Sequence, residues 1–475
     1  MKVGDMQGKC EIGMVGLGVM GCNLLLNMAD QGFTVAGYDK DIKKVDALRQ
    51  QVTEHNIHAF ADVKDFIAAL ARPRAIMLLV PAGAAVDAVI AALLPYLQAD
   101  DLIIDAGNSY FKDSDTRAQQ LAEKNIRFLS VGISGGEEGA RHGPSIMPSG
   151  PKAAYQRVAP ILEAIAAKVD KDPCVTYLGP GSAGHFVKMV HNGIEYGIMQ
   201  LIAESYALLK RGLKLDNEKL STIYGQWNAS DLNGYLMEIT SHIFAKIDDK
   251  TGKSLIDEVR AVAKQNGTGM WTSKSAMELQ LPTPTIDLAV AMRDLSVFVA
   301  EREQASSLYQ TDLSSFNGEP SVFIAQLQNA LFTGILTAYA QGMALLSVAS
   351  VHYEYHLNLE AVARIWRGGC IIRAALLEDI RKAFVANPDL ANLLLDADLA
   401  AKVLKNLPGL REVVCQATKL GIPIPSLSVS LSYLDALTDT HPPANLIQAQ
   451  RDYFGSHTYQ RIDMEGTFHT EWENN

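Results

Sequence analysis

A chain of 475 residues is too long for one ordinary hydrophobic core, so two or three domains are expected. Hydrophobic residues make up 48% and charged residues 20%, which excludes a disordered or fibrous chain and fits a soluble globular one. A formal net charge of -11 argues against nucleic acid as the main partner, although a local group of cations can still hold an anionic metabolite.

The start, Met1-Lys-Val-Gly-Asp5, lacks the apolar run of a signal peptide, and no charge-free apolar run is read as a membrane span. Cys10, Cys22, Cys174, Cys370 and Cys415 are scattered without CxxC pairing, which points to a reducing compartment and to no metal site. A cytoplasmic protein without a membrane or nucleic-acid partner is expected.

Residues 11–180 alternate short apolar strands with helical stretches. Strands are predicted at 12–15, 34–38, 75–80, 102–105, 127–130 and 175–178. The alternation implies a parallel sheet wound with helices, an α/β Rossmann-type domain over 1–180. Past Gly179-Pro180-Gly181 the pattern becomes helical, and a large all-α domain is expected over 181–440. The remaining 441–475 form a polar, aromatic tail, too short for a core of its own and expected to dock on another surface.

The first strand runs into Gly16-Leu-Gly18-Val19-Met20-Gly21, and Asp39 closes the second. In strand–turn–helix context this is a dinucleotide fingerprint, with backbone close enough to meet a pyrophosphate at a helix N-terminus. Asp39 favours NAD on charge, since a carboxylate accepts ribose hydroxyls and repels an added phosphate. Lys40 is either a partner for that phosphate of NADP or an exposed surface lysine. Val80-Pro81-Ala82 and Asp105-Ala-Gly-Asn108 end two later strands and should reach the same crevice. Asn108 is a nicotinamide-side contact or a turn asparagine.

Ser134-Gly135-Gly136 opens a second glycine-rich loop, suited by its free N–H groups to an anionic or polyhydroxy substrate. Beyond 182 an apolar helix is predicted in which Lys188, Asn192 and Glu195 share one face at i, i+4, i+7. An amine, an amide and a carboxylate in such a place serve one another, as a buried ion pair, or they serve a ligand through proton transfer. His191 is a substrate contact or a satisfied core histidine.

Several stretches together resemble the decarboxylating 6-phosphogluconate dehydrogenases of the pentose phosphate pathway and gluconate utilization: 16–23, 105–109, 134–148, 185–196, Ile365-Trp-Arg-Gly-Gly-Cys-Ile-Ile-Arg373 and Gln450-Arg-Asp-Tyr-Phe-Gly-Ser-His-Thr-Tyr459. The resemblance covers nearly the whole chain. It implies a homodimer with shared active sites, the tail entering the partner, and NADP or NAD as coenzyme. It implies Lys188 as base then acid, Glu195 as second acid and Asn192 as the positioning amide. Substrate contacts are implied at Asn108, Ser134, Gly135, Gly136, His191, Tyr196, Thr272, Arg293, Arg451 and His457. Taken alone, Arg293 would read as a surface ion pair.

Five positions depart from the family pattern. Met270 stands where a phosphate-binding lysine is usual, with Lys274 four residues on as a replacement if the segment is helical. Asp39-Lys40 replaces Asn-Arg. Ile198 and Pro81 replace an aspartate and a lysine. These departures leave two other readings: a related β-hydroxyacid dehydrogenase for another sugar acid, or a non-catalytic nucleotide or sugar-phosphate binding protein.

Overall fold

The computed structural model describes residues 9–51, 56–309 and 314–473, so the reading of Met1–Asp5 lies outside the described residues. The first part of the chain builds a seven-stranded sheet: β1 (Ile12–Val15), β2 (Val35–Tyr38), β3 (Ile57–Phe60), β4 (Ala75–Leu78), β5 (Leu102–Asp105), β6 (Arg127–Ser134) and β7 (Ser145–Ser149). Their order is β3-β2-β1-β4-β5-β6-β7, parallel throughout except for β7, which runs antiparallel to β6. Apolar clusters cover both faces, as continuous apolar strands such as Ile-Gly-Met-Val and Leu-Ile-Ile-Asp require.

Sequence pattern missed β3 and β7 and misplaced one strand. β3 is a half-buried edge strand with a weak apolar signal. β7, Ser-Ile-Met-Pro-Ser, carries Pro148, tolerated because the strand lies at the sheet edge. Segment 175–178 is not a strand despite its β-rich composition. Val175 makes only an isolated bridge to Ile146, and the chain turns away at Gly179.

Strand order reverses at β1, between β2 and β4. Ligands of open α/β sheets collect at such a switch point, beyond the strand carboxyl ends. The Gly16 turn and the loop after β4 flank it.

The site helix, Ala183–Ala207, lies with one side on β6 and β7 and the other among helices Thr268–Glu278, Pro284–Val297 and Pro320–His352. Close approach to the sheet depends on missing side chains. A Cβ on Gly184 would stand 2.1 Å from the Met147 carbonyl oxygen, and one on Gly132 2.4 Å from Lys188 Cβ. Burial of every residue from Ala183 to Ile194 explains why this stretch of the helix is so apolar outside its one polar face. Farther along it, the buried Glu204 accepts hydrogen bonds of 2.8 Å from both Ser426 N and Leu427 N, holding the start of helix Pro425–Thr438 against it.

Pro320–His352 corrects the expectation about apolar runs. It is long and apolar enough to cross a membrane, and 89% of its most apolar window is buried inside the protein. It serves as the central helix of the bundle.

The tail holds helix Ala444–Gly455, exposed along most of its length, and folds on a single carboxylate. Fully buried Asp452 accepts from Thr458 N (2.8 Å), His469 Nδ1 (2.9 Å), Thr470 N (3.1 Å) and Trp472 Nε1 (2.9 Å). Burial alone would raise its pKa; these donors outweigh that and hold it well below the usual carboxylate range. A polar knot replaces the apolar core that so short a segment cannot build.

Candidate active site

Each fingerprint glycine has its own physical reason. Gly16 has φ +100°, and a Cβ there would lie 2.5 Å from the Leu79 carbonyl oxygen. On Gly21 a Cβ would strike Gly16 O at 1.9 Å, so helix and turn touch only without it. Gly18, at the N-cap of helix Val19–Asp30, faces open space, which leaves room for a pyrophosphate at the helix start. Val19 is exposed and Met20 half-buried on the first turn. These residues fit a dinucleotide.

Asp39 sits at the end of β2, nearly buried. Its Oδ2 accepts from Leu17 N (2.9 Å) and meets Lys44 Nζ at 3.3 Å; its Oδ1 accepts from Asp41 N (2.9 Å). Burial pushes its pKa up, but the two backbone donors and Lys44 prevail and lower it. Asp39 therefore braces the glycine turn. Lys40 and Lys43 are exposed beside it.

At the next strand ends, Val80 is half-buried, while Ala82 and Asn108 are exposed. Asn108 stands between buried Gly107 and Ser109 on a loop pinned by Asp105. A single exposed amide is thus displayed on a rigid turn over the crevice.

On the site helix the three expected side chains do share one face. Lys188 is 6% exposed, and its Nζ donates to Asn192 Oδ1. His191 Nδ1 lies 3.1 Å from the same oxygen, so that nitrogen carries a proton. His191 Nε2 then accepts from the Ser134 hydroxyl at 3.2 Å, and Ile371 N approaches Ser134 Oγ at 3.4 Å. Burial, then Lys188, pushes the His191 pKa far down, so the ring is neutral. Its 3.9 Å approach to Glu195 is accordingly a polar contact rather than an ion pair. His191, open as to role in the sequence, connects the second glycine loop to the site amide.

Two opposed shifts distinguish the ends of this face. Burial lowers the Lys188 pKa, although Glu195 and Cys370 pull it up. Burial raises the Glu195 pKa against the pull of Lys188 and Arg293. Among the described residues Lys188 forms no ion pair, so the amine is not locked onto a carboxylate. An amine whose charged form is disfavoured and a carboxyl whose charged form is disfavoured are suited to taking and giving protons.

Ser134 is buried; Gly135 and Gly136 take φ of +134° and +62° and pack on the Gly369–Ile371 turn. Cys370 in that turn donates to the Trp366 carbonyl, and burial pushes its thiol up to about 12. It is an inert packing group.

Next to Glu195 in the chain, Tyr196 carries the Arg293 guanidinium 3.5 Å over its ring, a cation–π contact. Gly269 allows it, since a Cβ there would be 2.4 Å from the ring. Thr272, expected as a substrate contact, packs beneath Gly193 of the site helix. It is fully buried and its hydroxyl is committed to Met189 O (2.9 Å) or Thr268 O (3.0 Å). The 267–278 segment is helical, so Met270 and Lys274 share a face. Met270 is 46% exposed. Lys274 is also exposed, 4.0 Å from Glu278, which is bonded in turn to Lys112.

Arg451 and His457 find their contacts inside the tail. Arg451 donates to Gln448 Oε1 (3.0 Å), and His457 stands edge-on to Phe454. Both are exposed, and the chain does not fold them back onto Lys188. Sequence reading missed Gly132, His185 and Arg117. The first was legible only as part of a glycine-rich run; the other two bond across strand ends that local spacing does not reveal.

A doubly wound sheet, a dinucleotide fingerprint at the switch point and a buried amine–amide–carboxyl face define a nicotinamide-dependent dehydrogenase. Residues 11–179 match the NAD binding domain of 6-phosphogluconate dehydrogenase, and residues 184–472 match its C-terminal domain. The chain is 48% identical to the NADP(+)-dependent, decarboxylating 6-phosphogluconate dehydrogenase of Bacillus subtilis, over 98% of this chain and 99% of that one. It is 47% identical to the decarboxylating enzyme of Synechococcus elongatus, over 97% and 99%. The solved structure of Plasmodium falciparum 6-phosphogluconate dehydrogenase, described in apo form and in complexes with NADP+ and 6-phosphogluconate, superposes with a TM-score of 0.94 at 45% identity, covering 98% of this chain and 100% of that one. The chain belongs to the 6-phosphogluconate dehydrogenase family.

Proposed function

We propose that Lys188, Asn192 and Glu195 together carry the proton transfers of an oxidative decarboxylation. The enzyme converts 6-phosphogluconate to ribulose 5-phosphate and CO2 with reduction of a nicotinamide coenzyme. That coenzyme, when bound, takes the hydride from carbon 3 of the sugar acid. Neutral Lys188 takes the proton of the 3-hydroxyl, so that electrons can leave with the hydride. The resulting ammonium then donates to the new carbonyl oxygen, which draws in the electron pair released as carbon 1 departs as CO2. Asn192 orients the amine, its oxygen already shared between Lys188 and His191. Glu195, in its acid form, protonates the enediol at carbon 1 of the product. The observation that carries this reading is the buried Lys188 amine, bonded to an amide rather than paired with a carboxylate.

For the phosphate, the reading assigns Arg293, stacked on Tyr196, with Arg451 and His457 supplied by a partner's tail. The exposed, self-folded tail supports a homodimer with shared sites. Mixed dimers test this. Lys188→Met and Arg451→Ala should each be nearly inactive, and co-expressed in equal amounts they should recover about a quarter of wild-type activity through one intact site per heterodimer. No recovery in isolated heterodimers would place Arg451 outside the partner's site.

Coenzyme choice turns on Asp39. Its charge opposes the 2′-phosphate of NADP and favours NAD, while Lys40, Lys43 and Lys44 beside it attract that phosphate. Asp39→Asn removes the charge and keeps one acceptor oxygen, enough for one of the two backbone donors. The ratio of kcat/KM for NADP over NAD is expected to rise by about tenfold. An unchanged ratio would mean that Asp39 braces the turn and does not read the ribose.

Met270 favours one second reading. An exposed thioether offers a phosphate nothing, so another sugar acid such as gluconate is the competing substrate. Comparing kcat/KM for 6-phosphogluconate and gluconate decides it, and preference for gluconate would overturn the first reading.

A further inference from the structure

The crevice loops and the site helix are joined by a buried polar network that none of the proton transfers uses. Its centre is Asp105, the last residue of β5 and wholly buried. One carboxylate oxygen accepts from Gly107 N at 3.1 Å; the other accepts from Ser109 Oγ at 2.7 Å and lies 3.6 Å from Arg117 Nη1. Arg117 projects from helix Phe111–Ala122, its side chain 5% exposed. It donates through Nε to Asp87 Oδ1 (2.6 Å), through Nη2 to Gly83 O (3.1 Å) and through Nη1 to Ser109 Oγ (3.4 Å). One guanidinium therefore ties the loop after β4, which carries Ala82, to the loop after β5, which carries Asn108.

The second tie runs to the catalytic side. His185 lies on the site helix three residues before Lys188 and is fully enclosed. Its Nε2 is 3.0 Å from the Asp105 carbonyl oxygen, which can only accept, so Nε2 carries the proton. Nδ1 then accepts from the Ser114 hydroxyl at 2.7 Å. Burial lowers the pKa of the ring, consistent with this neutral form. Lys188 itself is held on β6 by the absence of a side chain at Gly132.

We propose that Arg117 and His185 are positioning residues that fix the two coenzyme loops relative to Lys188, so that the hydride acceptor and the base address carbon 3 together. This rests on the reading of Lys188 as base and of the Ala82 and Asn108 loops as the nicotinamide side. The two proton-transfer groups and the hydride path then depend on different parts of the molecule. Breaking the network should misplace the coenzyme while leaving Lys188, Asn192 and Glu195 in place. A displacement on the order of 1 Å costs about 100-fold in a hydride transfer that needs close approach.

The test compares two reactions of the full-length enzyme. One is coenzyme reduction with 6-phosphogluconate, unlabelled or carrying deuterium at carbon 3. The other is exchange of the carbon 1 hydrogen of ribulose 5-phosphate with solvent, with reduced coenzyme bound and CO2 removed. Exchange needs the acid–base face and no hydride transfer. Arg117→Met, which keeps the stem of the side chain, is expected to slow coenzyme reduction by about 30- to 100-fold and to enlarge the isotope effect, with exchange within about threefold of wild type. Arg117→Lys should recover part of the rate. Ser114→Ala, a milder cut at the His185 end, should slow reduction by about three- to tenfold with exchange kept, and it decides the matter if Arg117→Met does not fold. Parallel loss of both reactions, or reduction within about twofold of wild type, overturns the proposal. A wrong reading of Lys188 shows separately, as oxidation that survives Lys188→Met.

Discussion

Lys188→Met is expected to slow coenzyme reduction with 6-phosphogluconate by about 10^3- to 10^4-fold while leaving coenzyme affinity within about twofold of wild type. The size follows from the double use of one nitrogen. In the proposed mechanism, loss of the amine removes the base that frees the hydride and the acid that assists CO2 departure. Methionine fills the space of the lysine stem against Gly132, so the packing of the site helix on β6 is kept. Asn192 Oδ1 keeps the His191 donor, so the substitution leaves no buried acceptor bare. Stopped-flow reduction and a fluorescence titration of the coenzyme read the two effects. Turnover within about tenfold of wild type would remove Lys188 from both steps.

Glu195→Gln should divide the reaction instead of abolishing it. Oxidation and decarboxylation precede the step assigned to Glu195, so the variant should reduce about one equivalent of coenzyme per site in a burst and then stall. Steady turnover and exchange of the carbon 1 hydrogen of ribulose 5-phosphate should both fall by about 10^2- to 10^3-fold. An amide cannot deliver the proton, but it keeps the shape of the side chain and the polar contact with His191. A first turnover as slow as the later ones, with exchange intact, would assign the final proton to another group.

The difference between these variants depends on how the helix creates two acid–base groups from ordinary residues. Nothing in Lys188 or Glu195 alone departs from a surface lysine and glutamate. Enclosure between β6 and the helical bundle disfavours charge on both, which moves their pKa values toward each other. The side chains absent at Gly132 and Gly184 make that enclosure possible, and the neutral His191 adds no charge to oppose it. In the proposed mechanism, close packing contributes as much as the residues assigned to react.

The i, i+4, i+7 face was legible from spacing because a polar stripe in an apolar helix is a strong local signal. So was the glycine turn, where each glycine answers a local steric demand. What the sequence concealed was non-local. β7 holds Pro148 and reads as a break, yet it is an edge strand whose partner β6 supplies the floor under Lys188. Thr272 sits in a motif that points to substrate, while its hydrogen bond to Met189 O and its packing beneath Gly193 show only in the fold. Asp39 reads as a ribose ligand from its position, but two backbone donors and Lys44 already hold it. Arg117 and His185 lie 68 positions apart and meet only because β5 ends between their helices. Pairing partners, and the groups a carboxylate has already satisfied, are set by tertiary contacts that no window of sequence contains.

Coenzyme reduction and CO2 release, recorded together from 6-phosphogluconate, report whether oxidation and decarboxylation both depend on Lys188. The two should appear in equal amounts with the wild-type enzyme, and both should fall by about 10^3- to 10^4-fold in Lys188→Met. Coenzyme reduction without CO2, or no reduction at all with this substrate, would contradict this expectation.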